Sequence, residues 1–142
     1  MEPEPMEVSV NLTNEKVQFS GNARSNPFIT IDYRPPLGDG QGYTPLELLL
    51  ISLASCSGTT IIALLRKSKK KIFGFIVKAK GVRRAKHPTS FDKIYLSFVL
   101  YSQDTGSADM EQAIKFTEES FCPVWAMLKN NVEIVTDYKI IA

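Results

Sequence analysis

Histidine and cysteine, the side chains that most often bind metals or act as nucleophiles, are scarce in this sequence. Its 142 residues include one histidine, His87, and two cysteines, Cys56 and Cys122. A single histidine excludes a metal site built from several histidines, and the long separation of the cysteines excludes a Cys-x-x-Cys redox or zinc motif. The two cysteines can therefore meet only if the fold brings them together.

Strong net charge, internal repeats and low-complexity segments are also absent. The formal net charge of +2 is too small to make nucleic-acid binding the first interpretation, although residues 67–71 and 83–86 form local basic clusters. The start, MEPEPMEV, has neither the basic residues nor the apolar core of a secretory signal. We expect one cytoplasmic domain over residues 1–142, in which cysteines are more often chemical than structural.

The longest apolar stretch, Thr44 to Lys71, predicts the central helix. Thr44 can cap it, Pro45 suits its first position, and Glu47 completes a capping box. Basic residues gather at the other end, where the helix dipole favours cations, which places the last turn near residues 67–69. Because no continuous polar face runs along the helix, we expect it to be buried on nearly all sides.

A membrane span is the alternative interpretation of this stretch, since about 20 apolar residues can cross a bilayer. Glu47 and the hydroxyl residues of segment 52–60 interrupt the run, and Gly58 weakens it. The remainder of the chain also needs a core helix. We therefore predict a buried helix and no membrane contact.

The rest of the chain contains further strand-like and helical patterns. Six segments are strand-like: 7–12, 16–20, 28–33, 72–81, 93–102 and 132–142. The fourth and fifth should pair as an antiparallel hairpin. Residues 110–121 show helical spacing, with Phe116 and Thr117 among those facing the core, and residues 124–130 form a short helix behind Pro123. The order β-β-β-α-β-β-α-α-β, with helices on one face of an antiparallel sheet, makes an α+β fold.

Three residues are candidates for chemistry. Cys122 precedes Pro123 at a helix break, where the positive end of the next helix can stabilise a thiolate. Cys56 lies within the central helix, so its thiol needs a neighbouring cation in order to react. Glu47 can orient a reacting group, although its capping role already explains it. Two buried and inert cysteines are the structural alternative.

Several stretches together resemble the OsmC/Ohr superfamily of thiol-dependent peroxidases, from about Phe28 to the C-terminus. They are GYTPLELLL at 42–50, LASC at 53–56, HPTSFDKI at 87–94 and CPV at 122–124. The longer form CPVWAML is most similar to the YhfA-like branch.

The resemblance implies an OsmC-like fold and an intertwined homodimer, with both central helices buried and the sites between the subunits. It also implies that Cys56 attacks a hydroperoxide and becomes a sulfenic acid, that Cys122 resolves it as a Cys56–Cys122 disulfide, and that an external dithiol reduces this disulfide. Glu47 is the third candidate catalytic residue. The resemblance implies neither a metal nor an organic cofactor.

The sequence departs from the family pattern at two activating positions. The glutamate that follows the first helical proline in the hydroperoxide branch is Leu46 here, and Glu47 lies one place later, about 100° further round the helix. The arginine of the first hairpin turn has no counterpart at residues 14–16, and Arg24 and Arg34 are the nearest arginines. These departures keep open a non-catalytic dimer that binds an apolar or thiol-containing small molecule. Nucleic-acid binding through the basic clusters is a third interpretation.

Overall fold

The computed structural model describes residues 2–142. They divide into two compact units, the first ending at Leu49 and the second running from Leu50 to Ala142. Helices and strands follow one another in the predicted order, and the strands form two three-stranded sheets. The α+β class is therefore confirmed.

The first unit contains a small antiparallel sheet of β1 (Ser9–Leu12), β2 (Phe19–Asn22) and β3 (Ile29–Ile31), in chain order. The turn between β1 and β2 is held by Asn14, whose Oδ1 accepts the backbone N–H groups at positions 16 and 18, at 3.0 and 3.1 Å. An Asx side chain often closes a turn in this way. The sheet that the alternating pattern predicts is present, with shorter strands.

Asp32, directly after β3, organises the Pro- and Gly-rich loop 33–42. Its side chain is fully buried and its carboxylate accepts the N–H groups of Tyr33 at 2.8 Å and of Asp39 and Gln41 at 3.1 Å each. Burial alone would raise the pKa of Asp32, but the three N–H donors together lower it. An ionised carboxylate therefore holds the loop that leads into the first helix.

Helix α1 (Pro45–Lys67) begins in the first unit and continues into the second. The predicted capping box is confirmed, because the Thr44 N–H donates to Glu47 Oε1 at 2.8 Å and the Glu47 N–H donates to Thr44 Oγ1 at 3.2 Å. The helix ends two residues before Lys69, whose backbone is left-handed with φ 62°. A left-handed residue is a common helix terminator.

Within the chain, α1 is buried along one side only. Its buried residues are Leu53, Ser57, Gly58, Ile61 and Leu65. By length and composition α1 could cross a membrane, and 28% of its most apolar window is buried. Among the described residues, burial on nearly all sides of α1 is therefore not found in a single copy.

The second unit contains a sheet in the order β4 (Gly74–Arg83), β5 (Phe91–Tyr101) and β6 (Glu133–Ile141). The predicted β4–β5 hairpin is confirmed by its antiparallel register. The expectation of an antiparallel sheet is wrong for β6, which is parallel to β5. A long crossover makes this pairing possible, since the helices between β5 and β6 return the chain to the starting end of β5.

The two faces of this sheet differ sharply in polarity. On β5, Ile94, Leu96, Phe98 and Leu100 are completely buried and alternate with partly exposed residues. The Phe98 ring stacks on Phe75 of β4 with centroids 6.0 Å apart. On β4 the opposite face carries exposed lysines at positions 78 and 80. The buried face supplies the core against which the helices can pack.

The predicted helix 110–121 is divided in the structure. Helix α2 (Ser107–Phe116) is followed by a π-helical turn (Thr117–Phe121), and α3 (Pro123–Leu128) begins after Cys122. Thr117 is buried as predicted, but Phe116 is 40% exposed and meets the Phe121 ring edge-on at 6.3 Å. The prediction that Phe116 faces the core is wrong, because α-helical spacing places it about 110° away from the buried face of Met110, Ala113 and Ile114.

Candidate active site

Cys56 lies in the middle of α1 and is partly exposed. Its carbonyl accepts the Thr60 hydroxyl at 3.2 Å, and the neighbouring Ser57 hydroxyl donates to the Leu53 carbonyl. Ser52, one turn earlier, is exposed. Small hydroxyl residues therefore surround the thiol along the helix and leave it accessible, as the spacing predicts.

Cys122 lies between the π turn and α3 and is 2% exposed. Its backbone is extended, with φ −91° and ψ 107°, the conformation that a following proline favours. Its Sγ accepts the backbone N–H of Trp125 at 3.4 Å, and Trp125 is itself 1% exposed. Cys122 is thus the side-chain cap of α3, with a well-defined sulfur position.

The structure brings the two thiols together within the second unit. The pKa of Cys122 is raised to about 11, mainly by burial, and the neighbouring Cys56 thiol contributes to the increase. Both cysteines are free thiols in this arrangement. Two adjacent thiols can form a disulfide by losing two electrons and two protons.

The predicted effect of α3 on Cys122 is only partly right. The backbone N–H groups of Trp125 and Val124 do lower the pKa of the Cys122 thiol, in the direction expected at the start of a helix. Burial outweighs both, because a thiolate is poorly solvated in an apolar surrounding. Cys122 is therefore a neutral thiol near pH 7 rather than a stabilised thiolate.

Glu47 and the two candidate arginines belong to the first unit. Hydrogen bonds from the Thr44 backbone and hydroxyl lower the pKa of Glu47, and the positive charge of Arg34 lowers it further against the opposing effect of burial. Arg24 lies in the turn after β2 with a left-handed φ of 56°. Glu47 thus has the contacts of an ionised helix cap, and its catalytic role stays a prediction.

The π turn contributes a residue whose role the sequence pattern did not indicate. The Cys122 N–H donates to the Thr117 carbonyl at 3.1 Å, and the Thr117 hydroxyl donates to the Ala113 carbonyl at 2.7 Å. The one signal in the sequence is a threonine shortly before a Cys-Pro helix break. Among residues 2–142, no group of three or more histidine, cysteine or acidic side chains is arranged to hold a metal ion.

Comparison with solved structures gives close matches over almost the whole chain. A hypothetical protein from Aquifex aeolicus VF5 has a TM-score of 0.85 at 30% identity, with 97% of both chains covered. An OsmC-like protein from Mycoplasma pneumoniae has a TM-score of 0.85 at 20% identity, covering 99% of this chain and 100% of that one. The organic hydroperoxide resistance protein OhrB of Bacillus subtilis has a TM-score of 0.67 at 17% identity, covering 96% and 98%.

These similarities define the protein as an α+β domain with the fold of OsmC and Ohr proteins. The family model for OsmC-like protein matches residues 38–137. The chain therefore belongs to the OsmC-like protein family. No curated protein matches the sequence.

Proposed function

We propose that this protein is a soluble, cytoplasmic thiol peroxidase that reduces organic hydroperoxides through Cys56 and Cys122. One observation carries the proposal: within one unit of the fold, a partly exposed thiol lies close enough to a buried thiol to raise the pKa of the buried one. Two similar structures, from Legionella pneumophila and Bacillus subtilis, are described as organic hydroperoxide resistance proteins. They support a role in defence against oxidative stress.

The different surroundings of the thiols support a division of labour between them. Cys56 is accessible and attacks the peroxide oxygen, so that Cys56–SH and ROOH give Cys56–SOH and ROH. Cys122 then attacks the sulfenic sulfur, and Cys56–SOH and Cys122–SH give the disulfide and water. An external dithiol returns both cysteines to thiols and is itself oxidised to a disulfide.

Activation of Cys56 requires a group that stabilises its thiolate. Arg24 and Arg34 are the candidate cations, from the same chain or from a partner. Alanine variants will show which arginine activates Cys56. Replacing the activating arginine should slow the reaction with hydroperoxide and leave reduction of the disulfide unchanged.

The open side of α1 supports the proposal that the protein is a homodimer. A cleft of about 670 Å³ runs along α1 beside β4, next to this open side. Its lining is mainly apolar: Ile51, Ala54, Ser55, Gly58, Thr59, Ile62, Ala63, Arg66, Phe75 and Val77. The most apolar 18 residues of α1 have a mean hydropathy of 2.1 and only 28% of them are buried, and a large exposed apolar surface often marks an interface. A second copy covering this side would bury it.

Counting free thiols after treatment with cumene hydroperoxide tests the proposed reaction. Wild-type protein should lose both thiols together, whereas Cys122→Ser should stop as a trappable sulfenic acid on Cys56, and Cys56→Ser should not react. If both wild-type thiols survive excess hydroperoxide but titrate after unfolding, the cysteines are structural. A dimer that binds an apolar or thiol-containing molecule would then be the preferred function.

A further inference from the structure

The π turn before Cys122 departs from α-helical geometry at the point where the second thiol is positioned. The Cys122 N–H donates to the carbonyl of Thr117, five residues earlier, instead of to that of Glu118. The turn therefore holds one residue more than an α-helical turn. π-Helical segments are rare and often occur at functional sites.

Thr117 is the first residue of this turn. Of its five residues, all of which the structure describes, only Thr117 is buried, and it is completely inaccessible. Its hydroxyl donates to the Ala113 carbonyl at 2.7 Å, and its backbone N–H donates to the carbonyls of Ala113 and Ile114. A threonine hydroxyl bonded to the carbonyl four residues earlier often bends a helix and slightly destabilises it.

The position of Cys122 depends on the extra residue in the turn. Converting the π turn to α-helix would turn Cys122 by about 100° around the helix axis and move it by about 1.5 Å along the axis. Pro123 could not compensate, because its φ is fixed and it restricts the conformation of Cys122. A disulfide requires the two Cβ atoms to lie within about 3.5–4.5 Å of each other, so such a displacement would prevent it.

We propose that Thr117 is a positioning residue, whose buried hydroxyl maintains the π turn and thereby keeps Cys122 within bonding reach of Cys56. This inference rests on the proposed function for its kinetic consequence. Thr117 takes no part in the chemistry: Cys56–SOH and Cys122–SH form the disulfide and release water. Loss of the hydroxyl should slow this closing step and leave the earlier reaction of Cys56 with hydroperoxide unchanged.

Two variants separate the hydroxyl from the volume of the side chain. Thr117→Val keeps the shape and removes the donor, whereas Thr117→Ser keeps the donor. In single-turnover reactions with cumene hydroperoxide, the valine variant should form sulfenic acid within about twofold of the wild-type rate but close the disulfide at least about tenfold more slowly. The serine variant should close at nearly the wild-type rate.

Thr105→Val is the matched control, because Thr105 is also buried and its hydroxyl bonds to that of Ser102 at 2.8 Å. Circular dichroism establishes that each variant is folded. The inference is overturned if folded Thr117→Val forms the disulfide as fast as wild type does. It is also overturned if Thr117→Ser forms the disulfide as slowly as Thr117→Val, or if Thr105→Val slows disulfide formation as much as Thr117→Val.

An equilibrium measurement tests the inference even if the protein proves not to be a peroxidase. In a buffer of oxidised and reduced dithiothreitol without hydroperoxide, oxidised dithiothreitol takes two electrons and two protons from Cys56 and Cys122 and forms their disulfide. The equilibrium constant should fall at least about tenfold in Thr117→Val and stay within about threefold of wild type in Thr117→Ser. An unchanged constant in Thr117→Val contradicts the positioning role, whereas failure of hydroperoxide to oxidise wild type contradicts only the proposed function.

Discussion

Cys122 is protected by the same burial that makes it slow to react. With a pKa of about 11, roughly one molecule in ten thousand carries its thiolate at pH 7. The thiolate is the attacking species, so disulfide closure should accelerate about tenfold for each pH unit between 7 and 10. Burial, which does not depend on the Cys56 thiol, is the largest cause of the shift. Stopped-flow measurement of closure at saturating hydroperoxide tests this dependence.

The reaction of Cys56 with hydroperoxide, whose rate depends on the hydroperoxide concentration, provides the internal control, because it does not involve ionisation of Cys122. A closing rate that stays constant from pH 7 to 9 would contradict the expectation and would indicate that a neighbouring base removes the Cys122 proton.

Thr44 and Glu47 make different contributions to the start of α1. Thr44→Val removes the hydroxyl that accepts the Glu47 N–H and should lower the free energy of unfolding by about 1 kcal/mol. Glu47→Gln retains an oxygen that can accept the Thr44 N–H, so its effect on stability should be smaller. Denaturant titration of both variants measures the difference.

Turnover of the same Glu47→Gln protein separates structural from catalytic roles. Near-normal hydroperoxide reduction by Glu47→Gln would agree with a purely structural role of Glu47 as a helix cap. A fully stable Glu47→Gln protein that has lost hydroperoxide reduction would instead make Glu47 a catalytic residue and would contradict the structural interpretation.

Asp32 should make the loop 33–42 sensitive to acid. Burial would raise the pKa of Asp32, but the N–H donors of Gln41, Tyr33 and Asp39 lower it below its ordinary value of 3.8. Its contribution to stability is therefore complete above that value and is lost as the pH falls through the lower pKa of the folded protein. Hydrogen exchange of the loop amides should increase on acidification below pH 4.

Asp32→Asn should expose these loop amides already at neutral pH and remove their acid response, because an amide offers one acceptor oxygen instead of two. Asp92→Asn, at an exposed position of β5, serves as the control and should change neither property. Equal protection of the loop in Asp32→Asn and wild type would contradict the role given to this carboxylate.

At the scale of elements, α1 and β4 approach each other closely at Gly58. A Cβ atom there would lie 3.3 Å from Val77 Cγ2 and 3.5 Å from Phe75 Cε2. Gly58→Val should therefore destabilise the protein by about 1–3 kcal/mol. Gly58→Ala should cost less, because the gain in helix propensity of about 1 kcal/mol offsets the tighter contact. Thermal unfolding of the two variants measures this ranking, and a valine variant as stable as wild type would contradict it.

The elements differ in how far their sequences predict them. Thr44, Glu47 and the apolar residues after them predict α1, since capping and composition act locally. The alternation of residues 93–102 predicts β5, but alternation is identical in parallel and antiparallel strands, so the direction of β6 stays open. The π turn has no periodic signature, because one inserted residue changes the helical pattern only where it occurs.

The candidate site, like the direction of β6, depends on long-range packing that the local sequence does not predict. Each cysteine is recognisable from its sequence as a possible redox group, yet their adjacency depends on long-range topology. The crossover that makes β6 parallel to β5 contains the segment with Cys122, whereas Cys56 belongs to α1. Burial likewise depends on that packing, which is why the helix start predicted a stabilised thiolate at Cys122 and the structure has a raised pKa instead.

For the whole molecule, the open side of α1 predicts a dimer in solution. Sedimentation should give about twice 15.9 kDa at micromolar concentration. Ile51, which is 48% exposed in the cleft, should be covered by the second copy, so Ile51→Glu should produce monomers. Val82→Glu, at a 44% exposed position of β4 outside the cleft lining, should leave the mass unchanged. A stable wild-type monomer would contradict the proposed assembly.

The lysines on β4 oppose the association of many copies through the edges of their sheets. β4 lies at one edge of its sheet, where unpaired backbone groups can template another strand. Lys78 and Lys80 are exposed on this strand, and pairing two copies edge to edge would bring rows of like charge together. Growth into open-ended fibres is thereby opposed, and concentrated protein should stay soluble until these lysines are replaced by β-branched apolar residues.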